Sequence, residues 1–129
     1  MTNAKNWTIE DLFLGKPENI KLFRRLQQHI ESLGQTEMVV AKTQVSFGAK
    51  RKFAWLWLAP VTKKAPEGIL MLTLDMTHKI RDPLIRTVEE LYPGKWTHQI
   101  AITDTSVIEA IFRHKWVEEA YKFGTMVRA

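Results

Sequence analysis

Ile20, Phe23, Leu26, Ile30 and Leu33 recur every three or four positions, the spacing that lines up one apolar stripe on a helix. Lys21, Arg24, Arg25, Gln28 and Glu31 fall between them. Pro17 suits a first helical position and Gly34 a stop, so the pattern predicts an amphipathic helix over 17–34. A shorter helix over 8–14 precedes it, with Thr8 placed to cap, Glu10 and Asp11 at the positive end, and Gly15 beyond.

From residue 36 the period shortens and β-branched and aromatic residues replace helix formers. Strands are predicted over 37–42, 44–47 and 53–58, the last two joined by a turn at Gly48-Ala49-Lys50-Arg51. In strand 53–58, strict alternation sends Phe53, Trp55 and Trp57 one way and Ala54, Leu56 and Leu58 the other. That predicts a central strand covered on both faces. A turn over 60–68 leads to a fourth strand at 69–74.

Asp82-Pro83 has the form of a cap followed by a first helical residue, which predicts a short helix over 82–91, ended by Tyr92-Pro93-Gly94. A fifth strand follows at 96–102, with Trp96, His98, Ile100 and Ile102 on one face. Ser106 and Glu109 match a capping box, and 107–123 holds neither Gly nor Pro, so one long closing helix is expected. Its stripe is Ile108, Ile111, Phe112, Trp116, Ala120 and Phe123. The predicted fold is α+β: a single domain over 1–129 whose antiparallel sheet of about five strands is packed by N-terminal and C-terminal helices.

Composition narrows the chemistry. With 129 residues, 45% of them hydrophobic and 26% charged, the chain matches ordinary globular domains rather than disordered or membrane classes. It holds no cysteine, which excludes disulfides, thiolate metal sites and cysteine nucleophiles and leaves a cytoplasmic location as the expectation. Segment 1–7 is polar, and no run approaches the ~20 apolar residues of a spanning helix. Neither export nor a membrane partner is expected.

His29, His78, His98 and His114 lie in four different elements without a paired spacing, so no metal is expected. Ser32, Ser46 and Ser106 sit in no nucleophile-elbow context, and the six glycines are scattered singly, which disfavours hydrolase triads and phosphate-cradling loops. Glu89-Glu90 and Glu118-Glu119 are adjacent, about 100° apart on a helix, and read as solvated faces rather than acid/base pairs. No cofactor and no catalytic residue is assigned.

A formal charge of +5 suits solubility, and also a polyanionic partner. The densest basic and aromatic cluster is Lys42, Lys50, Arg51, Lys52, Trp55 and Trp57. Cations for phosphates and indole faces for bases suit single-stranded nucleic acid. The same tryptophans, in a sheet covered by helices, are core, and 50–52 is then a solvated hairpin tip. Lys79, Arg81 and Arg86 form a second basic patch.

The segments VAKTQVSF (40–47), RKFAW (51–55), RDPL (81–84), WTHQ (96–99) and VEEAY (117–121) together resemble a bacterial family known as a domain of unknown function. The resemblance covers 36–123. Similar domains occur alone, after another small uncharacterised domain, or behind nuclease-like segments, in proteins sometimes labelled predicted transport proteins. The resemblance transfers no catalytic residue, and no carrier motif accompanies it here.

Three functional readings follow. The first is a non-enzymatic binding or interaction domain for nucleic acid or another acidic partner, contacting it through Lys42, Lys50, Arg51, Lys52 and Arg81 with Trp55 or Trp57 stacking, and weakening steeply with salt. The second is a small-molecule ligand domain or enzyme with a pocket formed by Trp96, His98, Trp116 and Tyr121. The third is a homodimer that covers an aromatic sheet face.

Overall fold

A computed structural model describes residues 6–126; residues 1–5 of the polar N-terminal segment lie outside them. Helix α1 (Ile9–Leu12) opens with a reciprocal cap in which Thr8 Oγ1 accepts the Asp11 N–H at 3.1 Å and Asp11 Oδ2 accepts the Thr8 N–H at 3.0 Å. Helix α2 (Pro17–Ser32) begins at its proline and buries Phe23, Leu26 and Ile30, the predicted stripe.

Among the described residues six strands follow: β1 (Glu37–Val40), β2 (Gln44–Gly48), β3 (Lys52–Leu58), β4 (Leu70–Met76), β5 (Ile85–Tyr92) and β6 (Lys95–Ile102). They form one sheet in the order β1-β2-β3-β4-β6-β5, with every neighbouring pair antiparallel. Helices α3 (Thr105–Arg113) and α4 (Trp116–Thr125) follow the sheet. The fold is therefore α+β with an open antiparallel sheet, and has one strand more than expected.

The extra strand is β5, which replaces the predicted helix over 82–91. Asp82 does cap, but it caps a turn: its Oδ1 accepts the Leu84 N–H at 2.9 Å and its carbonyl accepts the Ile85 N–H at 3.0 Å. Beyond that turn Ile85, Thr87 and Val88 are β-branched and pair along β6, so ladder hydrogen bonds and packing override a weak helical preference. Gly94, at φ 86°, forms the hairpin turn into β6.

The predicted single helix over 107–123 is two. Lys115 adopts the left-handed conformation, φ 59° and ψ 34°, and breaks it. The cap of α3 is Asp104, whose Oδ1 accepts the Ser106 N–H at 2.8 Å; Glu109, the expected second half of a capping box, is ion-paired with Arg25 of α2. The break lets α4 lie across β3 and β4 while α3 packs on β6, so each buries its own short stripe.

All the helices cover one face. The core joins Ile9, Phe13, Phe23, Leu26 and Ile30 to Val45, Phe47, Ala54, Leu56, Leu72, Leu74 and Ile100 on the sheet, and to Ile108, Ile111, Val117 and Phe123. Strand β3 departs from the expected alternation. Its register with β2 slips between Phe47 and Gly48, and the bulge turns Phe53 onto the same face as Ala54. There Phe53 meets Tyr121 edge-on, with ring centroids 5.6 Å apart. Gly124 of α4 leaves room for that ring: a Cβ there would sit 2.4 Å from Phe53 Cδ1. Trp55 and Trp57 remain on the opposite face, which no helix among the described residues covers.

Candidate functional site

The uncovered face is defined by register. Ser46, Trp55, Thr73, Gln99 and Thr87 lie in one row across five strands, and Gln44, Trp57, Met71 and Ala101 in the next. Both tryptophans are half-buried, lying over a floor that includes Ser46, Met71, Thr73 and Ala101. Trp57 is oriented by its indole N–H, which donates to Thr73 Oγ1 at 3.2 Å.

Between the tryptophans and the β5–β6 hairpin lies a groove of about 350 Å³, lined by Gln44, Trp55, Trp57, Thr73, Asp75, Leu91, Lys95, Thr97 and Gln99. Leu91 on its rim is 50% exposed. Asp75 is on its floor, only 1% exposed. Thr97 Oγ1–H donates to Asp75 Oδ1 at 2.7 Å, whereas Asp75 Oδ2 has no hydrogen-bond partner among the described residues. Lys95 Nζ approaches that oxygen to 3.6 Å, close enough for attraction but too long for a hydrogen bond. Burial pushes the Asp75 carboxyl above the usual carboxylate range, against the opposing pull of Thr97 and Lys95.

The predicted basic cluster is divided. Lys52 is exposed on the open face, because it pairs with Gly48, and a Cβ on Gly48 would point at Lys52 Cγ. Lys50 is exposed beside it in the turn. Arg51 is committed elsewhere: its Nε–H donates to the Phe123 carbonyl at 3.1 Å, its guanidinium lies 3.5 Å from the Phe123 ring centroid, and Nη1 reaches the Tyr92 hydroxyl at 3.5 Å. The Lys50 and Arg51 amides both donate to the Gly124 carbonyl, so this turn closes the C-terminal end of α4. Lys42 lies at the other end of β2. Arg81 lies in the 77–84 segment, which runs from β4 to β5 across the helix-covered face.

Of the four residues of the predicted pocket, Trp96 and His98 share the helix-covered face of β6, whereas Tyr121 packs on Phe53 of β3. His98 is 0% exposed on the core side of β6. Its Nε2 accepts the Ile80 N–H at 3.0 Å, which leaves the proton on Nδ1, 3.3 Å from the Leu74 carbonyl. Desolvation by burial lowers its pKa. Tyr121 packs on Phe53 and against Gly34, with its hydroxyl 3.5 Å from the Gln35 carbonyl. Trp116 is buried under α4 and stacked on His114 at 5.0 Å, and Trp96 shares the core-side row of Met76. His29 is half-buried between helices, 3.2 Å from Glu118 Oε1 and stacked on Phe112.

Sequence reasoning missed Asp75, Lys95, Thr97 and Gln99. The signal was present: once Trp96, His98, Ile100 and Ile102 are assigned to the core, Lys95, Thr97 and Gln99 must face outward, and Thr73 and Asp75 do the same on β4.

Among the described residues no group of three or more His, Asp or Glu side chains is placed to hold a metal ion, and no helix is long and apolar enough to cross a membrane. No curated protein and no solved structure matches the chain. A family model does, over residues 9–124, which extends the resemblance of 36–123 to both N-terminal helices and the whole sheet. The chain belongs to the family described as a domain of unknown function, DUF5655.

Proposed function

We propose that the domain is a non-enzymatic binding module that takes single-stranded nucleic acid on the open face of its sheet. The observation that carries this reading is the line of Lys52, Trp55 and Trp57 along one strand with no helix of the described residues above it. Base–aromatic stacking contributes about 1–3 kcal/mol per base and works with any base, because every base has a π-face. Lys52 and Lys50 stand at one end of that line, where a strand's phosphates would pass.

The charge on the face is mixed. Glu37, Glu89 and Asp75 share it with Lys52 and Lys95, so stacking supplies most of the affinity and the salt dependence is shallow rather than steep. If about two phosphates are neutralised, log K falls with log salt at a slope of roughly −1.4.

The test is tryptophan fluorescence titrated with a thymidine dodecamer, an abasic strand of the same length and a duplex, each at low and moderate salt. Saturable quenching by the single strand, abolished in Trp55→Ala and weakened in Lys52→Ala, supports the reading. Absence of quenching at either salt rejects it. If absence of quenching accompanies a solution mass of two chains, the face belongs to a second copy.

A further inference from the structure

A carboxylate with an unused oxygen is a costly thing to keep on the floor of a groove. Neighbouring floor positions on the same face are held by Met71 and Ala101, which need no partner, whereas an unsatisfied buried acceptor costs about 1–3 kcal/mol and more if charged. Asp75 Oδ2 is such an acceptor. The ammonium beside it, Lys95 Nζ at 3.6 Å, does not satisfy it by hydrogen bonding. An acceptor and a donor therefore stand side by side in a groove that the rings of Trp55 and Trp57 and the amides of Gln44 and Gln99 also line. The groove, at about 350 Å³, is at the small end of ligand sites.

Resting on the reading of this face as a nucleic-acid platform, we propose that Asp75 and Lys95 read the Watson–Crick edge of one unpaired base, selecting a ring N–H beside a carbonyl: guanine, uracil or thymine. The ring N–H donates to Asp75 Oδ2, and Lys95, turning from the carboxylate toward the rim, donates to the neighbouring carbonyl oxygen. Adenine and cytosine present a bare ring nitrogen at the same place. Against a carboxylate that puts two acceptors face to face, which is repulsive. A duplex is refused as well, since its base edges are already paired.

The experiment compares three dodecamers on the wild-type protein by fluorescence: thymidine, N3-methylthymidine and abasic. Methylation keeps the stacking surface and removes the ring N–H. The expected result is binding about tenfold weaker for the methylated strand, the scale of one good polar base contact, with the abasic strand weaker still and an adenosine dodecamer close to the methylated one. In Asp75→Asn the preference for thymidine over its methylated form falls to near parity. Equal binding of thymidine and N3-methylthymidine by the wild type overturns the edge-reading role and leaves the stacking platform standing. Equal binding of the thymidine and abasic strands overturns both. The comparison of strands on wild-type protein holds even if a variant fails to fold.

Discussion

The Nε2 of His98 accepts the backbone N–H of Ile80 at 3.0 Å, so a buried imidazole on β6 fastens the segment that crosses over it from β4 to β5. Without that bond the Ile80 amide would face apolar core. His98→Ala is expected to cost about 2–4 kcal/mol, from the cavity and the orphaned amide together, measured by urea denaturation.

The same residue sets a pH dependence. Its pKa is lowered in the folded state, so the stability it supports is fully present above the unfolded value near 6.5 and is lost as pH falls toward the folded value, where the unfolded chain takes the proton first. The melting temperature of the wild type should drop as pH falls below about 6.5. In His98→Gln, which keeps an acceptor but does not titrate, the slope over that window should flatten.

Asp75 has the opposite sign. Its pKa is raised by burial, so folding is favoured when it is protonated, and its contribution worsens as pH rises from the unfolded value near 3.8 through the folded one. Asp75→Asn should therefore stabilise the domain at pH 7, by on the order of 1 kcal/mol, while Lys95, partly open to water, resolvates. The gain should vanish at acid pH. A destabilised Asp75→Asn at pH 7 would mean that the Lys95 attraction outweighs the burial cost.

Two adjacent cations should separate cleanly. Arg51→Ala removes the side chain that closes the end of α4 and lies on Phe123, and should lower stability by about 1–2 kcal/mol. Lys52→Ala should leave stability within about 0.5 kcal/mol, as for most surface positions, and weaken binding of single strands. Denaturation curves and titrations on the two variants check both halves.

Gly124→Ala tests the bulge in β3. Its φ is ordinary, so the cost is steric: the new methyl would press on Phe53 at 2.4 Å from Cδ1 and 3.1 Å from Cβ. A loss of about 1–3 kcal/mol is expected from such overpacking. Phe53→Leu in the same chain should recover part of it, which a double-mutant cycle would detect.

Local signals were enough wherever one residue's own chemistry decides its conformation. Thr8 with Asp11, Pro17, and the stripe of Phe23, Leu26 and Ile30 identify α1 and α2, and β-branched and aromatic runs identify β1 to β4 and β6. The α+β class followed from their order. What the chain could not disclose locally are choices between nearly balanced alternatives. Asp82-Pro83 suits a helix start or a turn equally, and only pairing with β6 makes 85–92 a strand. Nothing within 107–123 breaks a helix, and only the shape of the sheet beneath rewards the turn at Lys115. Alternation placed Phe53 with the tryptophans until a one-residue bulge, visible only in the pairing of β2 with β3, turned it inward. The groove is of the same kind: Asp75 and Lys95 are twenty residues apart, and it is the side-by-side pairing of β4 with β6 that brings a carboxylate, an ammonium and two indoles onto one face left open by every helix.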